Sequence, residues 1–265
     1  MFLLRYFPFI KLSFKNHLSH VMRMTFRFCG CFFFMVVFIE LWRLIDREGL
    51  LEIPYKITDI AWYVSFTQMF LFLSPRFFMV INEDIRSGDI AYFLIRPISY
   101  LNMRLLEGIG ALSANMVSYY SVGVFLLWLY IGELPSGGIL TLITVMIFLY
   151  LGSILHLIFQ LMAGITAFWL QEAEPMYRIY QKLLIVLGGL YMPLTLYPDW
   201  VGKFASFTPF YTMMYMPVRP LLNEGTFFEN VIMTLGYFCV WFVLAFMLMG
   251  WMYRTCVRRL EVNGG

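Results

Sequence analysis

The chain has 265 residues, of which 61% are apolar and 13% charged, with a formal net charge of +3 and a mean hydropathy of +0.76. A soluble domain is about 45–50% apolar and about 25% charged, so a water-facing globule is excluded, and so is disorder, which needs low hydrophobicity and high net charge. A helical span takes about 20 apolar residues, so six spans fit, while ten or twelve do not.

Residues 1–24 carry Arg5, Lys11, Lys15 and Arg23 among apolar residues, with no compact apolar core ending at a small-residue cleavage site. That excludes a secretory signal peptide. Ile10, Phe14, Leu18, Val21 and Met22 recur at helical spacing, with Lys11 and Lys15 on another face. The pattern fits an amphipathic helix lying in the membrane interface; the plainer alternative is an extension of the first span. Six apolar segments follow. They are about Thr25–Leu44, about Ile57–Met79, the uncharged stretch Gly108–Gly132, a span inside Leu134–Gln171, the short Leu183–Pro198, and Asn230–Tyr253. Gly188, Gly189, Pro193 and Pro198 interrupt the fifth. No fixed-period repeat is evident, which disfavours an inverted-repeat carrier.

With both termini cytoplasmic, only Arg43, Arg47, Lys56, Lys203 and Arg219 of the 19 Lys and Arg residues fall outside. The positive-inside rule therefore predicts an N-in, C-in orientation. Trp42, Trp62, Trp128, Trp169 and Trp251 lie near span ends, as interfacial belts require. Cys29, Cys31, Cys239 and Cys256 have no metal-type spacing and pack as small hydrophobes.

The largest inside polar segment is 82–102. Asn82, Glu83, Asp84, Ile85, Arg86, Ser87, Gly88 and Asp89 lead into Ile90, Tyr92, Phe93, Leu94 and Ile95, then Arg96-Pro97. A solvated loop does not need that apolar run, so a short amphipathic helix docked on a partner is expected. The largest outside segment, 191–229, is rich in aromatics and methionines, and five prolines divide it. Irregular backbone at membrane depth must be shielded by protein or line a cavity. A helix that enters as the fifth span, breaks at Pro193 and re-enters is therefore expected.

Three features together resemble the permease subunits of type 2 ATP-binding-cassette (ABC) exporters. The first is Glu83 to Ile90 followed by Leu94-Ile95-Arg96-Pro97-Ile98-Ser99. The second is Gly188-Gly189-Leu190-Tyr191-Met192-Pro193 with Tyr197-Pro198-Asp199-Trp200 and Thr208-Pro209-Phe210. The third is the plan of an interfacial helix and six spans. Within that family the chain is most similar to daunorubicin-type and viologen-type drug-export permeases. The resemblance implies an all-α integral membrane protein in the plasma membrane, a bacterial inner membrane. It also implies a coupling helix, a broken and re-entrant fifth helix, and a second permease chain, either a homodimer or a heterodimer partner.

The residues agree with that implication. No G-x-x-x-x-G-K-[ST] phosphate loop is present, so ATP and Mg belong on a separate ATPase subunit and no cofactor is expected in this chain. Asn82 to Asp89 would contact that ATPase, with Glu172, Glu174 and Arg178 as secondary contacts. Ionisable and amide groups in apolar spans are expensive. This marks His156 and Gln160, one turn apart, and Asn115 as a polar notch in a substrate path or as interhelical hydrogen bonds. Gly189, Tyr191 and Pro193 are candidate gate residues. Glu107 with Arg104, and Glu40 with Arg43, read as interfacial ion pairs. Gly110, Ala114 and Ser118, and Ala163 with Ala167, are small-residue faces for packing within or between chains. No HExxH, G-x-S-x-G or paired membrane aspartates appear, so an enzyme is not expected, and neither is a nucleic-acid partner. The expected function is the permease subunit of an ATP-driven exporter of a hydrophobic or amphipathic substrate. An ATP-independent channel or small carrier is the alternative, and a lipid-handling intramembrane enzyme is a third reading without a catalytic set.

Overall fold

The computed structural model describes residues 2–19, 21–94, 99–170, 172–223 and 225–263. The expected Ile95-Arg96-Pro97-Ile98 exit of the polar loop and Gln171 lie outside them. The described residues form helices and turns, with no strands.

Helix α1 (Phe2–Ser19) is followed by α2 (Val21–Arg47), α3 (Ile57–Leu73), α4 (Phe77–Arg86) and the short α5 (Ile90–Leu94). Next come α6 (Tyr100–Asn115), a π-helical turn at Met116–Tyr120 and α7 (Ser121–Ile131). Then α8 (Gly138–Ile165), α9 (Ala167–Leu170) and α10 (Glu174–Leu187) lead to α11 (Asp199–Ser206), α12 (Met216–Val218) and α13 (Phe227–Asn263). Among the described residues, five helical stretches are long and apolar enough to cross a bilayer: Thr25–Arg47, Ile57–Arg86, Tyr100–Ile131, Gly138–Leu170 and Phe227–Cys256.

Helix α3 is the central stave. Ile60, Trp62, Tyr63, Phe66 and Met69 are fully buried on it. Its start is fixed by Asp59, whose carboxylate accepts from the Ser136 amide (2.8 Å) and hydroxyl (2.7 Å) in the α7–α8 turn. Its end is fixed by Pro75. The residue before a proline avoids helical backbone, and Ser74 is extended at φ −66°, ψ 129°. The freed carbonyls are not orphaned, because Arg27 donates to Phe72 (2.6 Å) and Ser74 (3.2 Å).

Close packing rests on glycines. A side chain at Gly110 would strike the Ile10 carbonyl of α1, and one at Gly108 would strike Leu157 of α8. The small-residue face on α6 therefore receives α1 within the chain, and the Ser13 hydroxyl donates to the Glu107 carbonyl beside it (2.7 Å). Both expected ion pairs form: Arg43–Glu40 at 2.7 Å and Arg104–Glu107 at 2.8 Å.

The expected fifth segment differs in detail. Helix α10 begins at Glu174, well before Leu183, because Pro175 occupies the first turn, where its missing N–H costs nothing. Tyr177, Tyr180, Leu184 and Leu187 give α10 a buried face. It ends at Leu187 rather than at Pro193. Gly189 takes φ +68°, and its carbonyl accepts from the Tyr63 hydroxyl (2.6 Å), fixing the turn. At 14 residues α10 is about 21 Å long, short of the roughly 30 Å hydrocarbon layer. The next two carbonyls also find side-chain donors, Leu190 from Thr67 (2.9 Å) and Tyr191 from Trp42 (3.1 Å). The chain then passes through α11 and returns to the core, where Thr212 to Val218 are buried and the Met213 backbone lies against Gly152 of α8.

Candidate functional site

Helix α4 carries the first half of the charged segment. Phe77, Phe78, Ile81 and Asp84 form its buried face at helical spacing. Asp84 therefore points inward, which corrects its expected place on a partner-facing surface. Its carboxylate accepts from the Tyr100 hydroxyl and from Arg104 through Nε (3.0 Å) and Nη2 (2.6 Å). Arg104 also holds Glu107, and its guanidinium stands 4.9 Å from the centre of the Phe93 ring. Ile90 is buried as well. The short helix α5 is thus anchored at Ile90 and Phe93, while Tyr92 stays exposed. The segment expected to form one short helix is divided, since residues 82–86 belong to α4 and Ile90–Leu94 form the separate α5.

Between α4 and α5, Ser87, Gly88 and Asp89 form an exposed turn. Gly88 adopts φ +79°, and the Ser87 hydroxyl donates to the Asp89 carboxylate (2.9 Å). Ile85 is half-buried, and Glu83 and Arg86 face out.

The second loop expected at the same face meets the first. Asn82 accepts from the Ala173 amide (2.8 Å), and Arg86 pairs with Glu172 (3.2 Å). Phe78 stacks on Tyr177 of α10 with ring centres 3.6 Å apart. Arg178 pairs with Glu174 along α10 (3.1 Å). Ile85, Arg86, Ala167, Leu170, Glu172 and Pro175 line an open groove of about 630 Å³ between the loops. The structure therefore gathers Asn82, Arg86 and Glu172 into one exposed face, with Glu83, Ser87, Gly88 and Asp89 at its rim and Glu174 with Arg178 on the adjoining helix. Exposed ion pairs contribute little to stability, so this face is suited to recognition more than to holding the fold.

The candidate path residues do not form one channel. His156 is buried and shares a hydrogen bond with the Tyr180 hydroxyl of α10, the interhelical alternative. Gln160 is buried one turn on, and its Oε1 has no hydrogen-bond partner among the described residues. Asn115 lines a void of about 10 Å³ with Tyr120, Tyr150 and Ser153, roughly room for one water. Gly189, Tyr191 and Pro193 sit in the break after α10; Pro193 is buried, and Tyr191 stacks on Phe38 of α2 (5.1 Å). Replacing His156 by Phe is expected to cost about 1–3 kcal/mol, because it removes a partner of the buried Tyr180 hydroxyl. Transport should persist, and its loss at retained stability in a transport assay would restore the path reading.

Sequence reasoning missed Asp59 and the Tyr100–Asp84–Arg104 cluster. The signal was present in both cases. Asp59 is an acid in the first turn of a helix, where the dipole favours it. Phe77, Phe78 and Ile81 set a helical phase that carries Asp84 inward.

No curated protein matches the chain in sequence. The family model described as ABC-2 family transporter protein matches residues 26–264, nearly the whole length. This chain belongs to the ABC-2 transporter family, as a multi-pass membrane permease subunit of a kind whose family implies an ABC ATPase partner.

Proposed function

We propose that this permease is the membrane half of an ATP-driven exporter, moving a hydrophobic or amphipathic substrate, such as a drug of the daunorubicin or viologen type, out of the cytoplasm or inner leaflet. The ATPase docks on the face formed by the α4–α5 turn and the loop before α10. Both termini are cytoplasmic, and α10 with the re-entrant segment serves as a broken fifth crossing of six. The observation that carries this reading is the joining of two exposed loops through Arg86–Glu172 and Asn82–Ala173, directly above rigid attachments to the spans. A push on that face reaches α6 through Asp84–Arg104 and α10 through Phe78–Tyr177.

The interior supports a dimeric path. The void at Asn115 is about one water in size, too small for a drug-sized substrate, and the route in this reading lies at the surface of this chain, against a second permease copy or a paralogous chain. ATP and Mg act on the partner ATPase in this scheme, and the chain itself performs no covalent chemistry.

The test is charge reversal at the exposed rim. With the ATPase co-expressed, Glu83→Arg combined with Arg86→Glu is expected to weaken co-purification and abolish substrate-stimulated ATP hydrolysis while leaving the chain's melting temperature unchanged. Normal assembly and coupled hydrolysis would sink the docking assignment.

A further inference from the structure

A groove of about 410 Å³ opens between α2, the carboxyl end of α3 and α10. Its polar wall includes Arg27, Arg76 and Gln181, and its apolar wall includes Phe26, Leu71 and Phe72. Among the described residues, no Asp or Glu lines it. The nearest acid on α10, Glu174, is engaged by Arg178 at 3.1 Å. Arg76 is exposed and makes no ion pair among the described residues, and Arg27 is held at the groove by the α3 carbonyls. Two cations thus share a cavity with aromatic and aliphatic surface. Arg27 stands two residues inside the described start of the Thr25–Arg47 stretch, and Arg76 stands at the Ser74-Pro75 break between α3 and α4, within the Ile57–Arg86 stretch.

We infer that this groove is a binding site for an anionic phospholipid, with the phosphate between Arg27 and Arg76 and an acyl chain along Phe26, Leu71 and Phe72. Basic pockets between membrane helices on the anionic cytoplasmic leaflet recruit such headgroups. Arginine suits the task because its planar fork meets phosphate in a bidentate manner. The assignment of leaflet rests on the orientation proposed above; the site does not. Gly30 leaves one side open, since a side chain built there meets no atom within 4 Å.

The test uses the full-length chain purified from a mixed phosphatidylglycerol and phosphatidylcholine environment, with retained lipid read by native mass spectrometry. Wild type is expected to retain phosphatidylglycerol selectively, also in millimolar inorganic phosphate. Arg76→Gln is expected to lower that retention about five-fold, the factor for one basic residue at an anionic surface. Gly30→Leu, which fills the groove from its open side, is expected to lower it at an unchanged melting temperature. Equal retention of both lipids, or unchanged retention in both variants, would overturn the site. Displacement by inorganic phosphate would overturn the lipid assignment in favour of a free-anion site.

Discussion

Replacing Arg104 by Gln is expected to lower the stability of the folded chain by about 3–5 kcal/mol, the range for removing one partner from a buried ion pair. The guanidinium serves two carboxylates, Asp84 at 2.6 Å and Glu107 at 2.8 Å. The side chains of Arg104 and Asp84 are only 13% and 12% exposed, so solvent cannot take over. Without Arg104, Asp84 keeps the Tyr100 hydroxyl as its donor, and two like charges face each other across a poorly hydrated gap. The Phe93 ring also loses the cation that holds α5 in place. Arg104→Lys restores the charge but not the fork, and an intermediate loss is expected. The double variant Asp84→Asn with Arg104→Gln removes a repelling charge and is expected to recover part of the loss, a non-additivity that a double-mutant cycle reads directly. Thermal unfolding in detergent checks the stability, and stimulated ATP hydrolysis checks the coupling. An Arg104→Gln chain that melts like wild type would show that the cluster is not what ties the loop to α6.

The same cluster shows where sequence reasoning stops. Composition alone was enough for a bundle of apolar helices, because bilayer physics leaves helices few rivals once charge is this scarce. Arg43–Glu40 and Arg104–Glu107 were legible because both lie at i,i+3 on one helix, where geometry is known in advance. Asp84–Arg104 joins residues 20 apart on two helices, and nothing local announces it. The contact between the two polar loops was legible as a shared side of the membrane, yet Arg86–Glu172 spans 86 residues and depends on how α4 and α9 pack. The end of α10 was misplaced for a different reason. Pro193 is a strong breaker on paper, whereas α10 already ends at Leu187, where Gly189 turns left-handed and the Tyr63 hydroxyl of α3 meets its carbonyl.

Gly152 is the second position where a large effect is expected. It lies on the face of α8 that receives the re-entrant segment, and a β-carbon there would sit 2.2 Å from the Met213 carbonyl oxygen. The next nearest atoms are also Met213 backbone, at 3.1 and 3.4 Å, so no flexible side chain can swing away. Gly152→Ala is expected to cost about 1–3 kcal/mol as overpacking, and Gly152→Leu more. Gly236→Ala on α13 is the matched control. Nothing lies within 4 Å of its added carbon, so alanine is expected to be neutral or stabilising by about 0.5–1 kcal/mol. The damage at Gly152 has a direction. Met213 Sδ accepts from the Tyr180 hydroxyl at 3.5 Å, and Tyr180 shares a hydrogen bond with His156. Displacing Met213 therefore loosens α10 from α8, far along the bundle from the α4–α5 turn. Gly152→Ala is expected to keep its ATPase partner in a pull-down while losing thermal stability and transport. Loss of the partner together with transport would mean that the two ends of the bundle do not act separately, and a chain with wild-type melting would show that the re-entrant segment does not bear on α8 at this glycine.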